Sequence, residues 1–249
     1  MKLHIPLIGI ACLLRCDPQV SHSQSEKDSP PIALAIGEDV SGSFQQNYSL
    51  TKEHINEMCQ IIVKSGRGGV VKFYTIGNPT PAGFITCEIS PLPPAMGDYK
   101  PDPNDNLLER AKKKQEHDKK KRECDDTRAR MQAENQQRID AFLKACASML
   151  NQRGTRYTDL NGFFEKAAIF LKGENVASHA KWLYCNTDGV HDLGNSKPKT
   201  VRCDLLPVEV RTYFTGCKPS FTCLNSSDRK LLSDPGEFIS VFRKSVLKQ

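Results

Sequence analysis

Apolar and polar positions alternate along this chain in a way that predicts strands followed by helices. Residues 32–37 (IALAIG) form a continuous apolar run between Pro30-Pro31 and a polar loop, the pattern of a strand buried on both faces. From Ser49 to Lys64, Ile55, Met58, Cys59 and Ile62 recur at three- and four-residue spacing, which predicts an amphipathic helix. Gly66 to Gly69 breaks that pattern. Val70 to Ile76 (VVKFYTI) and Phe84 to Ile89 (FITCEI) flank a Gly77-Asn78-Pro79 turn and read as a hairpin. A Pro-rich stretch, Pro91 to Pro103, ends that unit.

Leu107 to Leu150 follows with no Pro or Gly, and predicts one long helix or a helical hairpin. Its first part is charged all round. Its last part carries an apolar stripe of Ile139, Phe142, Leu143, Cys146, Met149 and Leu150. The segment should therefore dock by its C-terminal third and project its basic first part into water. A second amphipathic helix is expected from Asp159 to Lys172. Strands are expected at Trp182 to Thr187 and Val208 to Thr215. A closing helix should run from Asp234 to Leu247, with Asp234 as N-cap before Pro235. Strands alternating with helices imply an α/β fold: a doubly wound, mostly parallel sheet with helices on both faces. The hairpin adds one antiparallel edge strand, and residues 104–150 are a long helical insertion.

Composition modifies this picture little. The 249 residues are 38% hydrophobic and 26% charged, ordinary for a soluble domain. The net charge of +6 is local: between Arg110 and Arg130 there are ten Lys or Arg and five Asp or Glu. With the remainder near neutrality, bulk charge does not indicate nucleic-acid binding. The Lys112 to Arg122 run reads as a solvated helix face, with anionic lipid or an acidic partner as the alternative contact.

Residues 1–16 read as a targeting segment, because Lys2 precedes an apolar run from Ile5 to Leu14 that is too short to span a bilayer. Cys12 after Ile10-Ala11 resembles a lipoprotein cleavage site, and Cys16 precedes a polar stretch. Lipidation and plain secretion both stay open. Residues 17–30 read as a flexible tether, and 31–249 as the folded domain. An exported protein permits disulfides, and a bridge among Cys203, Cys217 and Cys223 is expected. Cys185, inside an apolar strand, reads as a buried thiol, and Trp182 as core.

Candidate chemistry gathers where strands end. Asp39-Val40-Ser41-Gly42-Ser43 follows the first strand directly, and open α/β sheets bind ligands at the carboxyl ends of strands. Asp39, Ser41 and Ser43 can turn oxygens toward one point if Gly42 lets the loop curl. Hard oxygen ligands suit Mg²⁺, with Mn²⁺ or Ca²⁺ as substitutes. Tyr157-Thr158-Asp159-Leu160, at a helix start, and Thr187-Asp188-Gly189, at a strand end, supply further oxygens. Taken alone, DVSGS reads as a capping turn. Taken with the other two segments, it reads as a metal site.

These three segments, in this order, resemble the metal-ion-dependent adhesion site (MIDAS) of von Willebrand factor A and integrin I-like domains. DVSGS matches that family's DxSxS motif, TDLNG supplies its Thr, and TDG supplies its second Asp. The resemblance covers about residues 31–90 and 152–247. It implies that Ser41, Ser43 and Thr158 contact the metal through hydroxyls. Asp39 and Asp188 would act directly or through water, and one coordination position would stay open. Thr155 rivals Thr158 for the Thr role.

The chain departs from the pattern in its helical insertion, and in five clear strands where six are usual. A sixth could lie near Phe221 to Leu224. The implied function is a non-enzymatic binding module holding a protein partner's carboxylate. A metal-dependent phosphoesterase using Asp39, Asp159 and Asp188 is one alternative, and a scaffold acting through the insertion is another. His191 could overlook the site or be a plain loop residue. His117 and Cys124 fall on nearly one helix face, without enough ligands for a metal.

Overall fold

A computed structural model describes residues 29–44, 49–77, 83–152, 154–194 and 200–247. The targeting segment and nearly all of the tether lie outside the described residues. The chain forms β1 (Ile32–Asp39), α1 (Lys52–Ser65), β2 (Gly69–Ile76), β3 (Phe84–Ile89), α2 (Leu107–Leu150) and α3 (Leu160–Lys172). It continues with β4 (Ala180–Asn186), β5 (Arg211–Thr215), β6 (Arg229–Leu231) and α4 (Pro235–Leu247). The six strands form one sheet in the order β3-β2-β1-β4-β5-β6. Every neighbouring pair is parallel except the β2–β3 hairpin at the edge. This is the doubly wound α/β architecture that the apolar pattern predicts.

The two faces of the sheet are covered differently. Ile32, Leu34 and Ile36 of β1 join Ile55 and Met58 of α1, Phe142 of α2, and Phe238 and Phe242 of α4 in one core. The alternate residues Ala33 and Ala35 face Phe163, Phe164 and Ala167 of α3 on the other side. Helices do cover both faces, but among the described residues α3 is the one α-helix on the second. The remainder of that face is closed by the 200–224 region, whose short 3₁₀ turns Cys203–Leu205 and Thr222–Leu224 are joined by a Cys203–Cys223 disulfide. The bridge falls within the expected trio, and Cys217 stays a buried free thiol. Cys185 and Trp182 are core, as expected. Gly37 is required where β1 passes α3: a Cβ there would lie 2.5 Å from the Phe163 ring.

The structure corrects several expectations. The sixth strand is Arg229–Leu231, not the Phe221–Leu224 region, which is a 3₁₀ turn. With only three residues and a mixed apolar-polar pattern, it leaves no periodic signal. The fifth strand begins at Arg211, since Val208 sits exposed in the preceding loop.

The insertion is one 44-residue helix, about 66 Å long at 1.5 Å per residue. It docks through its final third, burying Asn135, Ile139, Phe142, Leu143, Cys146 and Leu150. The Pro-rich stretch does more than end the hairpin. It runs back along the projecting part of α2 as a strap. Asn135 brackets Ser90 at one end, accepting from its backbone N–H and donating to its carbonyl, both at 2.9 Å. Farther out, the Cys124 thiol donates to the Pro94 carbonyl, Lys121 pairs with Asp98 at 2.7 Å, and Tyr99 lies over His117. Near the tip, Lys113 pairs with Asp105 at 2.6 Å. The strap carries Asp98, Asp102 and Asp105 against the single Lys100, so part of the helix's basic charge is met by the protein itself. His117 and Cys124 both face this strap.

Candidate metal site at the carboxyl edge of the sheet

The chain starts in the middle of the sheet at β1, winds out through β2, and returns across to β4 on the other side. Between β1 and β4 the winding direction therefore reverses. At such a switch point the connections leaving adjacent strands diverge to opposite faces, which opens a crevice beyond the strand ends. Asp39 ends β1, and Thr187-Asp188 follows β4, so both lie at this crevice.

Hydrogen bonds draw the three segments together. The Asp39 carboxylate accepts from the Ser41 backbone N–H at 2.9 Å, which curls the DVSGS loop back on itself. Its second oxygen accepts from the Thr187 hydroxyl at 2.8 Å, joining the first segment to the third. The Ser41 and Ser43 hydroxyls are 3.1 Å apart, so both point to one region. The middle segment closes against the first: Gly42 N–H donates to the Thr155 carbonyl at 3.0 Å, and Gly154 N–H to the Val40 carbonyl at 2.8 Å. It also closes against the third, because Thr158 and Asp192 exchange backbone hydrogen bonds at 2.7 and 3.1 Å.

Both candidate threonines sit in this junction. Thr155 runs beside Ser41, and its hydroxyl donates to the Tyr157 carbonyl at 3.1 Å. Thr158 is buried beside the third segment. Asp188 is half-buried and accepts from the Val190 N–H at 2.9 Å. Asp159 is occupied elsewhere, as the N-cap of α3, where it accepts from the Gly162 N–H at 2.9 Å.

The electrostatics are those of a buried carboxylate. Burial raises the Asp39 pKa above its usual value, with added repulsion from Asp188, against the lowering effect of bonds from Ser41 and Thr187. A cation between the two carboxylates would relieve both the desolvation and the repulsion, so this donor set of two carboxylates and several hydroxyls fits a hard divalent ion. Among the described residues, no three His, Cys, Asp or Glu side chains are grouped so as to hold a metal. A hydroxyl-rich site is not of that kind.

Two features leave little trace in the sequence. His191 is buried rather than a plain loop residue, and its Nδ1 accepts from the Leu160 N–H at 3.2 Å, fastening the third segment to the start of α3. Glu38, beside Asp39, is fully buried and anchors a polar network across the ends of three strands. Its one sequence signal is a lone acidic residue at the end of an apolar strand.

No family model matches this sequence, and no curated protein is detectably similar to it. Solved structures do align. The pilus adhesin SpaC from Lactobacillus rhamnosus GG aligns over 89% of this chain and 30% of its own, at 13% identity and a TM-score of 0.47. Proximal thread matrix protein 1 from the mussel byssus, with a zinc-occupied MIDAS motif, aligns over 88% of this chain and 48% of its own (13% identity, TM-score 0.39). The manganese-loaded TRAP protein of Plasmodium vivax aligns over 87% and 73% (13% identity, TM-score 0.39). This chain thus spans less than half the length of the adhesin and of the mussel protein. Similarity at this level concerns backbone shape alone and says nothing of chemistry.

Proposed function

We propose that this chain is a von Willebrand factor A-like binding module. It holds a divalent cation, Mg²⁺ or its substitutes Mn²⁺ and Ca²⁺, through Asp39, Ser41, Ser43, Thr158 and Asp188, with Thr155 as the rival threonine. The cation's open position takes a carboxylate from a protein partner. The strapped α2 arm offers a second contact surface. The reading includes no catalysis, and it assigns the protein to an exported setting, with a lipid anchor or plain secretion.

One observation carries the proposal: the buried Asp39 carboxylate stands at the sheet's switch point, bonded to Thr187 beside Asp188, with the Ser41 and Ser43 hydroxyls adjacent. The phosphoesterase alternative needs Asp159 as a third carboxylate ligand, and one of its oxygens is already engaged in capping α3.

Calorimetric titration of wild type and Asp39→Ala with Mg²⁺ and Mn²⁺ tests the reading. Saturable binding by wild type and none by the folded variant is expected. Equal affinity in both, or no binding by wild type, rejects it. A pull-down with and without EDTA then tests whether the partner depends on the metal.

A further inference from the structure

Successive residues at the end of β1 grip successive residues at the end of β4. Asp39 bonds to Thr187, and Glu38, pointing to the opposite face of the sheet, accepts from the Asn186 side-chain amide at 2.8 Å. The other Glu38 oxygen accepts from the Leu50 backbone N–H at 3.2 Å. Leu50 immediately precedes Thr51, the N-cap of α1. The network continues: the Thr215 hydroxyl at the end of β5 donates to the Asn186 carbonyl oxygen, and the Tyr184 hydroxyl lies 2.7 Å from Thr215 Oγ1. Glu38, Asn186 and Thr215 are all fully buried.

Burying a carboxylate is costly, and a strand end packed on α1 and α4 has room for an apolar side chain. A carboxylate there does what an apolar group cannot. It accepts from two donors on different chain segments at once, one at the start of α1 and the other on the strand that leads to Thr187-Asp188.

We propose that Glu38 is the positioning residue of the candidate metal site. It ties Leu50, at the start of α1, and Asn186, at the end of β4, to the end of β1, and so holds Asp39 and its Ser41 bond beside Thr187-Asp188. The inference rests on the metal reading for its consequence, but its structural content stands apart from any metal. Shape and acceptor placement carry the effect, rather than charge. A Gln at 38 can keep the Leu50 bond through its oxygen and donate to an inverted Asn186 amide, whose NH₂ then donates to the Thr215 hydroxyl.

The test uses the full chain with Glu38→Leu and Glu38→Gln, read by amide hydrogen exchange without metal and by calorimetry with Mn²⁺. In Glu38→Leu, exchange at Leu50 and Ser41 should rise about tenfold while core amides such as Leu34 and Trp182 hold, and Mn²⁺ affinity should fall about tenfold, as when a ligand's supporting partner is lost. Glu38→Gln should restore both to within about threefold. Unchanged exchange at Leu50 and Ser41 overturns the inference, as does a loss of global stability with no selective change there. If wild type binds no Mn²⁺, the functional reading fails, and the exchange data alone still decide the role of Glu38. Should Glu38→Leu not fold, Glu38→Asp, too short to reach both donors, gives the same comparison.

Discussion

The carboxyl edge of the sheet and the α2 arm are both rich in charged and hydroxyl residues, yet they hold them by different physics. At the sheet edge, Glu38, Asp39, Asn186, Thr187 and Thr215 are fully buried, and each bonds to a neighbour fixed by a strand. Beyond the buried Asn135, the ion pairs along the arm have at least one exposed partner, such as Lys113–Asp105 and Lys121–Asp98. Among the described residues, several strap and helix atoms (Tyr99 Oη, Asp105 Oδ2, Arg110 Nε and His117 Nδ1) are buried without a hydrogen-bond partner. Buried polar groups need complete partners and so enforce one geometry. Solvated ones tolerate loose fit. The edge therefore holds its polar groups in one geometry, and the arm holds its charges more loosely.

The sharpest way to break this contrast is at Asp39. Asp39→Ala should abolish detectable Mg²⁺ and Mn²⁺ binding, a loss of about a hundredfold or more, while circular dichroism shows an intact fold. Removing the arm's outer part, residues 95–130, should leave metal affinity unchanged in the same titration.

A Cys203→Ser/Cys223→Ser variant should cost about 3 kcal/mol in denaturant unfolding, by the loop-entropy argument for a bridge spanning 20 residues. That cost should fall on the sheet face beside α3, leaving proteolysis of the arm unaltered. Replacing Asn135 with Leu strips both hydrogen bonds from Ser90, and should destabilise by roughly 2 kcal/mol. Limited proteolysis should then release the strap first.

Acid should move the two regions in opposite directions. Burial raises the folded-state pKa of Asp39, so its contribution to stability is present at low pH and lost as pH rises through that pKa. Metal-free wild type and Asp39→Asn should match in acid and diverge toward neutrality, with the Asn variant more stable. Bonding and attraction from Lys121 lower the pKa of Asp98, so its contribution is present above the unfolded value and lost as pH falls. Protection factors along 91–106, with the intrinsic pH dependence of exchange removed, should fall slightly on acidification. The smallest effect belongs to Asp98→Ala at neutral pH, where the pair is exposed and the melting temperature should not move measurably.

How much of the molecule is legible in its sequence depends on whether the signal is local. DVSGS, TDL and TDG stand at strand and helix ends, where turn chemistry marks them, and their order is what the resemblance to a metal-ion-dependent adhesion site implies. The strap is not legible in this way. Pro91 to Pro103 has no period, and its partners on α2 lie up to 35 residues away. Glu38 and His191 are hidden for the same reason: one is a lone acid ending an apolar strand, the other a loop histidine, and their partners, Leu50 and Asn186 for one and Leu160 for the other, come from distant elements.

By itself, the amino-acid order determined which segments became strands and helices, because apolar periodicity and chain breakers act over a few residues. It also determined that oxygen donors cluster at the strand ends. Only the tertiary structure decided that β1 and β4 lie side by side, that Asp39 reaches Thr187, and that an acidic strap lies along a basic helix. Those contacts join residues far apart in the chain, and they form because burying the sheet's two apolar faces leaves few ways to arrange the strands.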